Sequence, residues 1–137
     1  MSLDNQLREK ICKLNIDLQR YGLVAWTSGN VSERMADGKS FLIKPSGVMY
    51  EDLSPAQMIL CDLDGNVLEG DLAPSSDTQT HAYIYRHMDH VNGVVHTHSN
   101  YANLYLSFTG KLKKLIIIVY IDLGWTTFFY NSVILFL

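Results

Sequence analysis

Cysteine is scarce in this chain. Only Cys12 and Cys61 occur in 137 residues, far apart and in no CxxC spacing. That excludes a disulfide scaffold and gives no sign of a zinc ribbon. A basic excess is missing too. Eleven Lys and Arg stand against fourteen Asp and Glu, for a net charge of −3, whereas a nucleic-acid binder usually shows the opposite balance. Charged residues make up 18% and apolar residues 47%, which excludes a disordered or collagen-like chain. Residues 1–20 carry no signal-peptide pattern, being charged and helical in spacing, so a reducing cytoplasm is the expected compartment. No internal repeat or low-complexity segment is visible. What is present is one domain's length of chain, able to bury roughly two-thirds of its unfolded surface.

The chain divides into two unlike parts. Residues 1–110 read as an ordinary soluble domain, and residues 111–137 as an apolar tail. After Lys111, Lys113 and Lys114, the stretch Leu115–Leu137 holds one charge, Asp122. Its length and flanking lysines match a membrane span. Asp122, Gly124 and Asn131 oppose that, because a carboxylate in mid-span is costly, and the expectation is no membrane insertion. The alternatives are a buried strand pair, Ile116–Ile121 then Phe128–Leu137, or an aberrant C-terminus.

Periodicity places the elements. Leu7, Ile11, Leu14 and Leu18 recur at helical spacing and predict an amphipathic helix over 4–21, ended at Tyr21-Gly22. Phe41–Lys44 predicts a short strand running into a Pro-Ser-Gly turn. Ser54-Pro55 starts a brief helical turn. Met58–Asp62 and Asn66–Leu68 flank Asp64-Gly65, a hairpin signal. Ser76 or Asp77 is expected to cap a helix whose buried stripe is His81, Ile84, Tyr85 and Met88. Gly93–His98 predicts a strand, and Ser99 caps a further helix through Phe108. Strands and helices mixed without strict alternation predict a three-layer α/β architecture rather than a doubly wound one.

Four clusters carry chemistry. On a strand, residues two apart face the same side, so His96 and His98 would present two imidazoles to one point. That starts a divalent metal site with zinc favoured, although a pair of hydrogen-bonded histidines is the plainer alternative. His87 and His90 read as solvated, while His81 lies one helical turn past Asp77 and could share its face. Pro74-Ser75-Ser76-Asp77 offers hydroxyls and backbone amides at a helix N-terminus, an anion site or simply a cap. Lys44-Pro45-Ser46-Gly47 puts a cation and a hydroxyl in a tight turn, suited to a phosphate or a carbonyl oxygen. Thr27-Ser28-Gly29-Asn30-Val31-Ser32 reads as a polar loop able to wrap an anion. Together these point to a small phosphorylated substrate held beside a metal, with a carboxylate placed for proton transfer.

In order and spacing, Gly29-Asn30-Val31-Ser32, Lys44-Pro45-Ser46-Gly47, Pro74-Ser75-Ser76-Asp77 and His96-Thr97-His98 resemble the class II aldolase/adducin family over about residues 5–105. Asp77 rather than Glu after the paired serines, with Thr78 and His81 following, is similar to the family's L-ribulose-5-phosphate 4-epimerase branch. The resemblance implies an α/β/α fold around a central mixed or antiparallel sheet. It implies His96 and His98 as zinc ligands and Asp77 as the acid/base residue. Ser46, Gly47, Ser75 and Ser76 would hold the substrate phosphate, with Asn30 and Lys44 in the same pocket. The implied reaction is a retro-aldol cleavage with zinc as Lewis acid, followed by re-addition through the other face, which turns L-ribulose 5-phosphate into D-xylulose 5-phosphate. A homo-oligomer, typically a tetramer with active sites between subunits, is implied as well.

The sequence also departs from the family. No histidine follows His98, so the family's third zinc ligand is absent from this chain. A further catalytic aspartate and tyrosine have no counterpart, since Tyr120-Ile121-Asp122-Leu123-Gly124 does not look like the family's segment. The likeness ends near Lys111, and an apolar tail of this kind is what a shifted reading frame could produce. The fold is therefore expected to be incomplete at its C-terminus, with a sheet edge in need of cover. Inactivity of the 137-residue chain is the expectation unless another ligand completes the metal site. The competing functions are a fuculose-phosphate type aldolase, against which Asp77 argues, and a non-catalytic adducin-like module, which would have no need of His96, His98 and Asp77.

Overall fold

The computed structural model describes residues 3–97 and 117–120. In chain order they form α1 (Leu3–Arg20), β1 (Asn30–Arg34), β2 (Ser40–Ile43), β3 (Ile59–Asp62), β4 (Val67–Glu69), α2 (Thr78–His87), β5 (Gly93–Thr97) and β6 (Ile117–Tyr120). Two short 3-10 turns, Tyr50–Asp52 and Pro55–Gln57, lie between β2 and β3. The strands make one sheet in the order β4-β3-β2-β1-β5-β6, and every pairing in it is antiparallel.

Three layers follow from how the central strands spend their side chains. Phe41, Leu42 and Ile43 are fully buried, the continuous apolar run of a strand covered on both faces. Successive residues alternate between those faces. Leu42, Val31 and Val95 join Ile11, Cys12 and Leu18 of α1. Phe41, Ile43, Ile59 and Val94 join Ala82, Ile84 and Tyr85 of α2. The α/β/α expectation therefore holds, with the described pairings antiparallel rather than mixed.

Local chemistry sets the element ends. Gly22, at φ 67, stops α1: its N–H bonds Gln19 O, and Leu23 N–H bonds Leu18 O. This pair of bonds is a Schellman stop, which uses glycine because only glycine enters the left-handed region freely. The β3–β4 hairpin turns on Asp62, whose Oδ1 accepts from the N–H groups of Asp64 and Asn66. Buried polar side chains then lock the layers together. Arg8 reaches from α1 to Met58 O and Glu69. Asn15 exchanges hydrogen bonds with the backbone of Val31 in both directions. Arg34 binds Tyr85 O and Val91 O, tying β1 to both ends of the α2–β5 connection.

Two expectations are corrected. Asn30, Val31 and Ser32, read from sequence as part of a polar loop, begin β1, the strand between β2 and β5. Its polar side chains concealed it: Asn30, Ser32, Glu33 and Arg34 each find a partner across the sheet or on a helix. Asp77 does occupy the N-cap position of α2, but makes no side-chain cap bond. Thr78 Oγ1 instead donates to Ser75 O at 2.6 Å, and the Asp77 carboxylate is turned toward the sheet.

The second expected zinc ligand His98, the helix expected from Ser99 to Phe108, and most of the 111–137 tail lie outside the described residues. Within the tail, β6 pairs with β5, setting Val119 opposite Val95 and Ile118 opposite His96. Among the described residues, no helix is long and apolar enough to cross a membrane.

Candidate active site

The α2-facing side of the sheet carries the site, at the end where β1 begins and β5 finishes. Asn30 and His96 are cross-strand neighbours in the β1–β5 ladder, so their side chains leave the same face together. Asp77 meets them from the start of α2. Its Oδ2 accepts from Asn30 Nδ2 at 2.7 Å and lies 2.7 Å from His96 Nδ1. Asn30 Nδ2 also donates to Ser75 Oγ at 2.9 Å. Four expected site residues from three separate motifs thus form one hydrogen-bonded cluster.

The cluster fixes protonation. The hydrogen bond from His96 is the largest influence on Asp77, and it outweighs desolvation to hold the carboxyl at about 2, with Asn30 adding to the effect. Asp77 is therefore an ionised proton acceptor at neutral pH. Asn30 spends both of its amide contacts as a donor, and its Oδ1 is a buried acceptor with no partner among the described residues.

The other two loops are joined by backbone. Pro45 and Pro74 form an isolated antiparallel bridge. Ser46 N–H donates to Ala73 O, and Ser75 N–H to Lys44 O. Ser46, Gly47 and Ser76 are exposed, which leaves two hydroxyls and a glycine turn facing solvent on adjoining loops. Lys44 differs from them. It is 1% exposed, its Nζ points at Thr27 O and Pro45 O, and burial lowers its pKa. Among the described residues it has no carboxylate partner.

Beneath the cluster runs a buried polar chain that sequence reasoning only partly signalled. Ser32 Oγ lies 2.7 Å from both His81 Nδ1 and Tyr85 Oη. His81 shares the inward face of α2, as its spacing from Asp77 suggested, but bonds Ser32. Desolvation holds it neutral, at about 3. His87 is exposed, as expected.

Gly29 packs against this site. At φ 74 it would place a Cβ 2.4 Å from Val24 Cγ1 and 2.8 Å from His96 O. The second contact is backbone of β5 and cannot rotate away. Gly29→Ala is expected to destabilise the protein by about 2 kcal/mol or more, read as a lower urea midpoint. A loss under about 0.5 kcal/mol would mean the loop is not held against His96.

Does this donor set suit a divalent metal? Among the described residues no three His, Cys, Asp or Glu side chains gather into one cluster. His96 nonetheless is oriented as metal-ligating histidines are, with Nδ1 held by a carboxylate. The orphaned Asn30 Oδ1 beside it leaves the site short of a hydrogen-bond donor, as a site built for a hydroxylated ligand would be. Among the described residues, His96 can offer one ligand to a metal, and the Asn30 Oδ1 can accept from a polyhydroxy substrate.

The class II aldolase and adducin N-terminal domain profile matches residues 9–128, continuing past residue 110, where the motif likeness was expected to stop. Among solved structures, the chain is similar to an L-fuculose 1-phosphate aldolase, with 27% identity and a TM-score of 0.70 over 79% of this chain and 50% of that one. It is similar to the L-fuculose-1-phosphate aldolase of Thermus thermophilus at 33% identity and a TM-score of 0.60, over 74% and 50%. YgbL from Escherichia coli, for which aldolase, epimerase and decarboxylase activities are all held open, matches at 28% identity and a TM-score of 0.69, over 75% and 49%. The chain spans about half the length of these solved relatives.

Proposed function

Because the chain belongs to the class II aldolase and adducin family, on a match that covers most of its length, we propose that its site breaks and remakes a carbon–carbon bond in a phosphorylated ketose. The proposed outcome is epimerisation of L-ribulose 5-phosphate to D-xylulose 5-phosphate. The observation that carries this reading is the Asp77 carboxylate, held ionised between Asn30 and His96. Asp rather than Glu at this place is the epimerase branch's choice.

Each residue then has a task. Ser46, Ser75 and Ser76 hold the phosphate through their hydroxyls and Gly47 and Ser76 through their backbone amides, the Ser46 and Ser75 amides being spent on Ala73 O and Lys44 O, and buried Lys44 contributes positive charge behind them. Asn30 Oδ1 accepts from a substrate hydroxyl, because a carbonyl oxygen repels phosphate. Asp77 takes a hydroxyl proton as the bond breaks and returns it on re-addition. His96, with His98, would hold a divalent metal, zinc by donor type. A metal bound there supplies a Lewis acid for negative charge developing on ketose oxygens. Assembly as a homo-oligomer, a tetramer in the family, belongs to the same proposal.

The solved relatives named L-fuculose 1-phosphate aldolases favour a second reading, cleavage of a deoxy-hexulose 1-phosphate with release of the aldehyde. Product analysis separates the two. The zinc-loaded chain is given L-ribulose 5-phosphate, and in parallel a fuculose-type 1-phosphate. Where a further ligand completes the metal site and zinc is retained, D-xylulose 5-phosphate without free aldehyde is the expected result; without that ligand the chain is inactive. Free aldehyde from the second substrate would give the aldolase reading. About one zinc per chain should survive dialysis and be lost in His96→Ala. No retained zinc together with no product would sink both readings for this chain.

A further inference from the structure

The loop leading into Asn30 is held by a buried device outside the motifs. Thr27, Ser28 and Gly29 turn three successive carbonyls toward one pair of side chains. Tyr50 shares its hydroxyl proton between Ser28 O at 2.7 Å and Gly29 O at 3.0 Å. Lys44 Nζ reaches Thr27 O at 3.4 Å and sits 4.9 Å from the centre of the Tyr50 ring. Tyr50 is fully buried, and its ring packs in the core cluster with Ile11 and Leu18 of α1. The core, not the loop, therefore fixes where the hydroxyl stands.

The loop has few means of its own to hold this shape. Ser28 Oγ is spent on Ala25 O, and Gly29 has no side chain. Peptide groups are planar and trans, so fixing the carbonyls of Ser28 and Gly29 fixes the two peptides that enter Asn30. Together with the β1–β5 pairing, that holds the Asn30 side chain toward Ser75 and Asp77.

We infer that Tyr50 is a positioning residue: its hydroxyl sets the Ser28 and Gly29 carbonyls so that the Asn30 amide meets Ser75 and Asp77, keeping the phosphate loops aligned with the acid/base group. The inference rests on the sugar-phosphate reading of the site. Tyr50 lies outside every motif because its hydroxyl bonds only backbone. Its ring accounts for its burial, and the hydroxyl's two acceptors become visible only in the fold.

Tyr50→Phe tests this cleanly, since it keeps the ring under Lys44 and in the core and removes only the hydroxyl. The probe is inorganic phosphate titrated calorimetrically into the full 137-residue chain, with hydrogen exchange at the Asn30 side-chain amide followed by NMR. Tyr50→Phe should weaken phosphate binding by about tenfold, the net worth of roughly one hydrogen bond, and speed exchange at Asn30. Ser76→Ala should weaken phosphate binding and leave Asn30 exchange unchanged. A merely structural hydroxyl would lower the melting temperature of Tyr50→Phe with phosphate affinity and Asn30 exchange as in the wild type. That result overturns the positioning role and leaves the sugar-phosphate reading standing. Failure of the wild type to bind phosphate would overturn that reading, and the inference with it.

Discussion

Asp77→Asn is expected to lower turnover by about 10²- to 10⁴-fold, the usual worth of a positioned general base, while the protein stays folded. The substitution is nearly isosteric. An amide oxygen at this place can still accept from Asn30 Nδ2, which now bonds Asp77 Oδ2 at 2.7 Å. It cannot hold a proton, and it cannot orient His96 by charge. The carboxylate rests at about 2 because His96 and Asn30 both donate to it and outweigh its desolvation, so it enters the reaction as a base at any pH near neutral. Steady-state assay of the zinc-loaded variant, with circular dichroism to confirm the fold, decides the matter. Turnover within tenfold of the wild type would remove Asp77 from the chemistry and with it the acid/base part of the proposal.

Acid should unfold this protein through His81. Burial lowers its pKa from 6.5 to about 3 in the folded chain, so below pH 6.5 the unfolded chain takes up a proton that the native state refuses. The stability that follows is fully present above 6.5 and is lost as pH falls toward 3, on the order of a few kcal/mol. Asp77 acts lower down. Its folded value of about 2 lies under the ordinary 3.8, so its contribution is present above 3.8 and disappears as pH falls toward 2. His81→Asn isolates the histidine, because an amide does not titrate and can still meet Ser32 Oγ, now 2.7 Å from His81 Nδ1. Urea midpoints measured from pH 7 to pH 4 should fall steeply for the wild type and far less for the variant. Parallel curves would show that His81 is not the buried neutral group described here.

Several parts of the site could be read before folding because their signal is local. A two-residue spacing on a strand places His96 on a defined face, and Asp77 announces a helix start by residue type. The Asp62–Asn66 turn and the stop of α1 at Gly22 are equally local. Other parts were hidden for physical reasons. β1 has Val31 as its one apolar side chain, and its polar residues are satisfied only by groups far away in sequence, Asp77 for Asn30 and Tyr85 for Ser32. No periodicity reports that. The same holds for the Asp77 carboxylate, which looks like a cap residue until Asn30 and His96 are brought beside it.

Residue type, and spacing within one element, were therefore enough to define the chemistry available. They marked candidates for holding a phosphate and for ligating a metal, the carboxylate next to the paired serines, and the α/β class of the fold. Which of those residues act together was settled by contacts between elements. Pairing β1 with β5 sets Asn30 against His96, the bridge between Pro45 and Pro74 joins two loops side by side, and the core sets the Tyr50 hydroxyl under Ser28 and Gly29. Each of these is a contact between distant segments, whose loop-closure cost is met only once the whole sheet has formed, so no local pattern encodes it.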